Sequence, residues 1–464
     1  MEPRPGRTPV ARLLATALTV LVAAGCTTAP ECDRATVSQK VQERFGRPVG
    51  TGPCPDRALV PEGFETGKPM AEDQAVLVAL YNNAAFHEAL VELDLTRADL
   101  LQAGLLPNPE FVYFWGEPNK PLKYLIDFPI EAIWLRPVRL KVAAAENARA
   151  CDRVTQLALD LIRDTRTAYA DLRLAHDQLK VTTLSVELRE RVAGLVETRL
   201  KAGDASALEL STAQIDTLQA AQELTRARYE VAAVQERLRN LTGLSRFPQP
   251  LVPDDVPFDP RTDATVDRLV SEAISSRPDA AAAVAAAAAA GERARVARLS
   301  WFRVLGILDA TSGRASGHEF GPAVRLTVPL FNHGQGLTAR ADAEFEQLSR
   351  RRQTVHDLIV QDVRTAYARY QQARAELDLL RTKTRPEVEA NIRRAESAFR
   401  DGNATFLIVL EANRQLIATY AREAQLAADL RRAWAELERG VGRRLGALIP
   451  TVSQDAGGIP VKPQ

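Results

Sequence analysis

Five histidines and four cysteines are the side chains in this chain best suited to ligate a metal or attack a substrate, and their placement suits neither task. His87, His176, His318, His333 and His356 are scattered without metal-ligand spacing. Gly334-Gln335-Gly336 is shorter than a phosphate-cradling loop and reads as a strand-to-helix turn. No nucleophile elbow occurs. The expectation is a protein that is not an enzyme, with no metal and no cofactor. Lys+Arg (60) and Asp+Glu (59) nearly cancel, leaving +1 and no basic stripe, which argues against a nucleic-acid partner.

Cys26 carries chemistry of another kind. Arg4, Arg7 and Arg12 precede a short apolar run from Leu13 to Ala24, the layout of a secretory signal over residues 1–25. The run ends in Leu21-Val22-Ala23-Ala24-Gly25-Cys26, which resembles the bacterial lipobox. That resemblance implies cleavage before Cys26 and covalent lipid on its thiol. Thr27 in place of an acid then points to the outer membrane. Several acyl chains would anchor the mature protein stably. Cys32 and Cys54 would lie on the exported side, where either a disulfide between them or two thiols can persist. Cys151 sits in a helical run and reads as a small packed side chain.

Elements able to position anything are laid out twice. Asp164-Thr165-Arg166-Thr167-Ala168-Tyr169-Ala170 matches Asp362-Val363-Arg364-Thr365-Ala366-Tyr367-Ala368 at an offset of 198. Further on, Gly203-Asp204-Ala205-Ser206 matches Gly402-Asn403-Ala404-Thr405 at an offset of 199. Each copy reads as helix, extended segment, very long helix, break, helix. The copies span 71–243 and 266–446. A lipidated linker (26–70) precedes them, a Pro/Asp-rich connector (244–265) divides them, and a tail (447–464) follows. The long helices, Pro137 to Lys201 and Leu337 to Arg400, would each run on the order of 95 Å. Leu157, Leu161, Ala168, Leu172, Leu179 and Leu184 suit packing along a neighbouring helix. Gly203 and Gly402 suit helix-to-helix turns, with Ser206 and Thr405 as N-caps of the returning helices. No stretch is long and apolar enough for a transmembrane helix; Ala280 to Ala290 lacks bulk.

Between the helices the period changes to two. Tyr124, Ile126 and Phe128 alternate with Leu125, Asp127 and Pro129, following the aromatic run from Phe111 to Trp115. Val324, Leu326, Val328 and Leu330 alternate with Ala323, Arg325, Thr327 and Pro329. The spacing predicts β-hairpins over 108–136 and 301–333, with Tyr124, Ile126, Phe128, Val324, Leu326 and Val328 facing lipid. Trp115, Tyr124, Trp134 and Trp301 suit an interfacial girdle. A soluble hairpin packed on the helices has the same pattern. Four strands cannot close a barrel, and an open edge cannot sit in lipid. Three chains would supply twelve strands.

The chain resembles the TolC-like outer membrane efflux family over nearly all of its mature length. Leu106-Pro107-Asn108-Pro109-Glu110 before the first strand carries the resemblance. So do Pro329-Leu330-Phe331-Asn332-His333-Gly334-Gln335-Gly336 after the fourth and Arg277-Pro278-Asp279 opening an alanine-rich helix. It implies a mainly α homotrimer with a twelve-stranded membrane β-barrel and a periplasmic α-helical tunnel. The implied partners are a periplasmic adaptor, an inner-membrane pump and outer-membrane lipid. The implied function is passive conduction, gated at the helical tips. The family places acids just past the second tip; here the matching positions are Ile408 and Glu411, so one acid is absent. Glu209, Glu411, Asp204 and Asp401 are the pore and gate candidates. Solvated helix faces explain the same acids. A lipid-anchored coiled-coil structural or adaptor protein without a pore is the rival reading, and type I protein secretion is the rival cargo.

Overall fold

A computed structural model describes residues 32–50, 59–60, 67–117, 120–247, 249–300, 302–313, 317–445 and 462–463. Cys26, Cys54 and Trp301 lie outside these, as do the signal segment and nearly all of the tail. The elements in order are α1 (Arg34–Phe45), α2 (Glu72–Asn82), α3 (Ala84–Gly104), β1 (Glu110–Glu117), β2 (Lys120–Pro129), α4 (Glu131–Ala202) and α5 (Ala207–Thr242). Then come α6 (Val266–Ser276), α7 (Pro278–Leu299), β3 (Val304–Gly313), β4 (Gly317–Leu326), α8 (Gln335–Leu379), a π-turn (Leu380–Thr384), α9 (Arg385–Arg400) and α10 (Phe406–Val441). Short two-residue ladders join Leu59–Val60 to Lys462–Pro463 and Pro69–Met70 to Val252–Pro253.

The chain divides into two compact units. One comprises residues 1–36, 90–154 and 278–355; the other comprises 37–89, 155–277 and 356–464. The first holds the sheet, whose four strands run antiparallel in the order β1-β2-β3-β4. Strand β4 stops at Leu326, two residues short of Val328, which was expected to lie in the strand facing lipid. Thr327 N–H still donates to Arg303 O at 3.3 Å. Pro329 has no N–H for the ladder and disfavours strand continuation, so Val328 and Leu330 lie beyond it.

The same unit corrects the expected disulfide. Cys32 bonds Cys151, with their Cα atoms 6.1 Å apart, so it is not paired with Cys54. Asn147, one turn before Cys151 on α4, accepts from Cys32 N–H at 3.2 Å and donates to Cys32 O at 3.3 Å. Its amide also donates to Thr96 Oγ1 at 3.1 Å, tying α3, α4 and the segment before α1 together. The partners are 119 residues apart in sequence, a separation that carries no pairing signal.

In the second unit, α4 buries Ala158, Leu161, Thr165, Ala168, Leu172 and Ala175. Their alternating steps of three and four form the seam of a coiled coil. Leu157, expected on that stripe, lies outside it and is exposed. Tyr169 is fully buried, and its hydroxyl donates to Met70 O at 2.9 Å and Asp254 Oδ1 at 2.7 Å. Tyr370 is buried likewise and donates to Pro260 O at 2.9 Å. Two tyrosines on the long helices thus hold the Pro/Asp-rich connector at two points.

Candidate functional site

Both helical tips are built by the same backbone device. Gly203 and Gly402 adopt φ of +85° and +75°, a left-handed conformation that costs a residue without Cβ nothing. Gly203 N–H bonds Leu200 O and Asp204 N–H bonds Arg199 O; Gly402 and Asn403 repeat this onto Phe399 O and Ala398 O. Each is a Schellman closure, which satisfies the last carbonyls of the incoming helix. The four helices around the tips share one core: Leu188, Val192 and Val196 of α4, Ala213 of α5, Ile392 and Phe399 of α9, and Phe406, Val409 and Leu416 of α10. Arg199 lies 4.7 Å over the Phe399 ring, and Arg414 of α10 pairs with Asp216 of α5 at 3.2 Å.

The returning helices begin differently. Ser206 and Glu209 form a reciprocal capping box: Ser206 N–H donates to Glu209 Oε2 at 2.8 Å, and Glu209 N–H to Ser206 Oγ at 3.2 Å. The Glu209 carboxylate is therefore engaged at its own helix start. Thr405 occupies the N-cap of α10 but makes no side-chain cap bond, and Ile408 stands where Glu209 would. Asp204, Asp401 and Glu411 are exposed; Glu411 accepts from Gln415 Nε2 at 3.2 Å.

The sheet sorts its side chains by register. Residues directly opposite in an antiparallel pair share a face. Pairings Phe111↔Ile126, Tyr113↔Tyr124, Ile126↔Leu308, Phe128↔Gly306 and Gly306↔Val324 place these residues on one face with Trp115, Val304, Ala310, Pro322 and Leu326. Glu110, Lys123, Asp127, Asp309 and Arg325 all fall on the other. Arg325 pairs with Asp127 at 3.8 Å. On the apolar face Trp115 is 85% exposed, Phe111 64% and Val324 61%, although they are among the most hydrophobic side chains of the chain. Tyr124, Ile126 and Phe128 are half-buried. Within the chain the outer edges of β1 and β4 have no strand partner among the described residues. Sequence alternation alone located the faces of β2 and of the end of β4. Only the register shows that one largely apolar surface spans all four strands.

Sequence reasoning missed a buried charge network in the second unit. Arg166, 6% exposed, pairs with Glu438, with Glu72 at 3.3 Å and with Asp73 at 3.6 Å. Arg431 pairs with Glu72 at 2.9 Å, and Arg444 with Asp73 at 3.1 Å. Burial pushes the Glu72 carboxyl up, against the pull of Arg166 and Arg431. Burial acts on Asp73 too, but Arg444, Arg166 and Arg47 together outweigh it and hold its carboxyl below the ordinary value. The signal was available: Arg166 lies within the repeated heptapeptide, one residue from the buried stripe. Arg277 of the Arg-Pro-Asp motif is buried as well and reaches Asp362 at 3.2 Å and Gly440 O at 3.3 Å. Arg277 of that motif therefore fastens the end of α6 to α8 and α10. Among the described residues no group of three or more His, Cys, Asp or Glu could hold a metal ion, and no helix is long and apolar enough to cross a membrane.

Known proteins resemble this arrangement in sequence and in fold. Residues 134–244 and 269–443 match the family model described as outer membrane efflux protein. The chain is 31% identical over 320 residues to the pyoverdine export outer membrane protein OpmQ of Pseudomonas aeruginosa, covering 66% of this chain and 65% of that one. It is 24% identical over 391 residues to the cobalt-zinc-cadmium resistance protein CzcC of Cupriavidus metallidurans, covering 82% and 91%. Its fold is similar to that of the outer-membrane channel OprN, with a TM-score of 0.71 at 19% identity, covering 85% of this chain and 99% of that one. The outer membrane protein VceC of Vibrio cholerae gives 0.67 at 16% identity, covering 81% and 96%. Those two likenesses speak to the fold; the family match, spanning more than half the sequence, speaks to kinship. This chain belongs to the outer membrane efflux protein family.

Proposed function

We propose that three copies of this chain form the outer-membrane channel of a tripartite efflux pump, carrying cargo passively from the periplasm to the exterior. The observation that carries this reading is the sheet: four strands with one exposed apolar face, an opposite face bearing Glu110, Lys123, Asp127, Asp309 and Arg325, and two edges unpaired among the described residues. Such edges cannot sit in lipid unpaired, and three copies joined edge to edge give twelve strands closed on themselves. The apolar face meets lipid, and the charged face lines the lumen. The long helices then continue as a tunnel into the periplasm. Its tips form the entrance, opened by contact with a periplasmic adaptor that joins the channel to an inner-membrane pump. Glu411 and the exposed Asp204 and Asp401 charge that entrance, and Glu209 adds its carboxylate beside the capping box.

Lipid on Cys26 anchors each copy to the outer membrane. The Cys32–Cys151 disulfide supports an exported location, where such bonds persist. Cargo is chosen by the inner-membrane pump. The printed names of the relatives, one for pyoverdine and one for cobalt, zinc and cadmium, support small molecules or metal ions above secreted proteins.

Single-particle imaging of the detergent-solubilised, lipidated protein tests the duct. The expected result is a threefold hollow cylinder with a barrel at one end. A monomer or a solid helical bundle would replace this reading with a lipid-anchored structural protein.

A further inference from the structure

The two halves of the chain differ by one residue between the same landmarks. The repeated heptapeptide recurs at an offset of 198 and the tip glycine at 199, so the stretch from Tyr367 to Gly402 is one residue longer than that from Tyr169 to Gly203. Inside a regular α-helix an extra residue rotates everything beyond it by about 100° and advances it by about 1.5 Å. The second tip would then present the wrong face to the first. It does not: the closing hydrogen bonds of the two tips correspond at an offset of 199, and Val196 and Ala395 lie in the same core.

The extra residue is taken up by the π-turn Leu380–Thr384, where Arg385 N–H reaches back five residues to Leu380 O. Within the matching stretch α4 is regular helix throughout. Pro386 follows at once and withholds an N–H from the ladder, weakening the same turn further. Glu423 of α10 is gripped from both sides of the irregularity. Arg381 Nε meets Oε1 at 2.9 Å from within the turn, and Arg385 meets Oε2 at 3.1 Å from beyond it. Arg385 also lies 5.2 Å over the Tyr420 ring, and Tyr420 donates to Glu389 at 3.0 Å.

We propose that the π-turn is a one-residue insertion that acts as the flexure point of the second long helix, letting α9 and its tip swing relative to α8. Fewer well-formed backbone bonds make this the softest place along the helix. The two arginines on Glu423 keep α10 alongside as it bends. This rests on the tip gating proposed above.

Hydrogen–deuterium exchange on the full-length trimer tests it, alongside conductance in planar bilayers. In the wild-type protein the amides of Thr382–Val388 should exchange at least tenfold faster than those of Thr183–Arg189 in α4. Deleting Thr382 removes the extra residue while leaving Arg381 and Arg385 in their own registers. The deletion should slow exchange around the turn by tenfold or more, leave the tip-core amides unchanged, and cut the frequency of channel opening severalfold. Equal exchange in the two wild-type helices would overturn the flexure, and that comparison needs no variant to fold. A deletion variant that stiffens yet opens as often as wild type would overturn its role in opening. A wild-type trimer that never conducts overturns the duct instead, leaving the exchange result to stand by itself.

Discussion

At the scale of single residues, the groups that matter are held by partners far away in sequence. Cys32 and Cys151 close a loop of more than a hundred residues, so their bond removes a large share of the unfolded chain's freedom. Replacing both by serine should lower stability by about 4 kcal/mol in chemical denaturation, and adding reductant to the wild type should reproduce the loss. Arg166 serves three carboxylates at once. Arg431 and Arg444 remain on Glu72 and Asp73, but Arg166→Met leaves Glu438 buried without its cation and should cost about 3–5 kcal/mol. Asp73 gives the network a pH dependence of definite sign. Its carboxyl is held below the ordinary 3.8, so it contributes stability above that pH and loses it as pH falls through the lowered folded value. Asp73→Asn should therefore destabilise the protein at neutral pH and converge on wild type as pH falls through the lowered folded value. A stability gap that stays constant across that range would contradict the assignment.

Single elements make narrower demands. The two returning helices share a length and a turn but differ at their starts, because Glu209 completes a capping box and Ile408 cannot. Ser206→Ala should cost about 1 kcal/mol, and Thr405→Ala a few tenths, in thermal melts of otherwise identical protein. The strands make the sharper distinction. Ile126 and Ala323 lie on opposite faces of one sheet. Ile126→Lys should lower membrane-folded stability by about 2–4 kcal/mol, whereas Ala323→Lys on the charged face should be nearly neutral. Comparable losses at both positions would mean that the apolar face meets protein and not lipid.

For the whole molecule the entrance is the place to intervene. The four tip helices of one chain share a core, so opening must separate copies or bend helices beyond that core. Cysteines at Asp204 and Asp401, crosslinked between copies, should stop export and recover it on reduction. Full export with the crosslinks formed would show that the tips do not gate.

The sequence by itself determined the duplicated order of helices and hairpins, the glycine turns at the tips and the kinship with outer-membrane channels. Those features rest on periodicity and local backbone chemistry, which a few neighbouring residues set: an alternation of two, a glycine at a left-handed position, a long run of helix formers. The end of β4 was misjudged because alternation outlasts pairing where Pro329 withholds its N–H. Tertiary structure alone decided that Cys32 joins Cys151, that Arg166 is buried among carboxylates, and that a π-turn hides the one-residue difference between the halves. Each of these depends on which helix faces which. That choice comes from burying whole faces together, and neither spacing nor propensity along the chain records it.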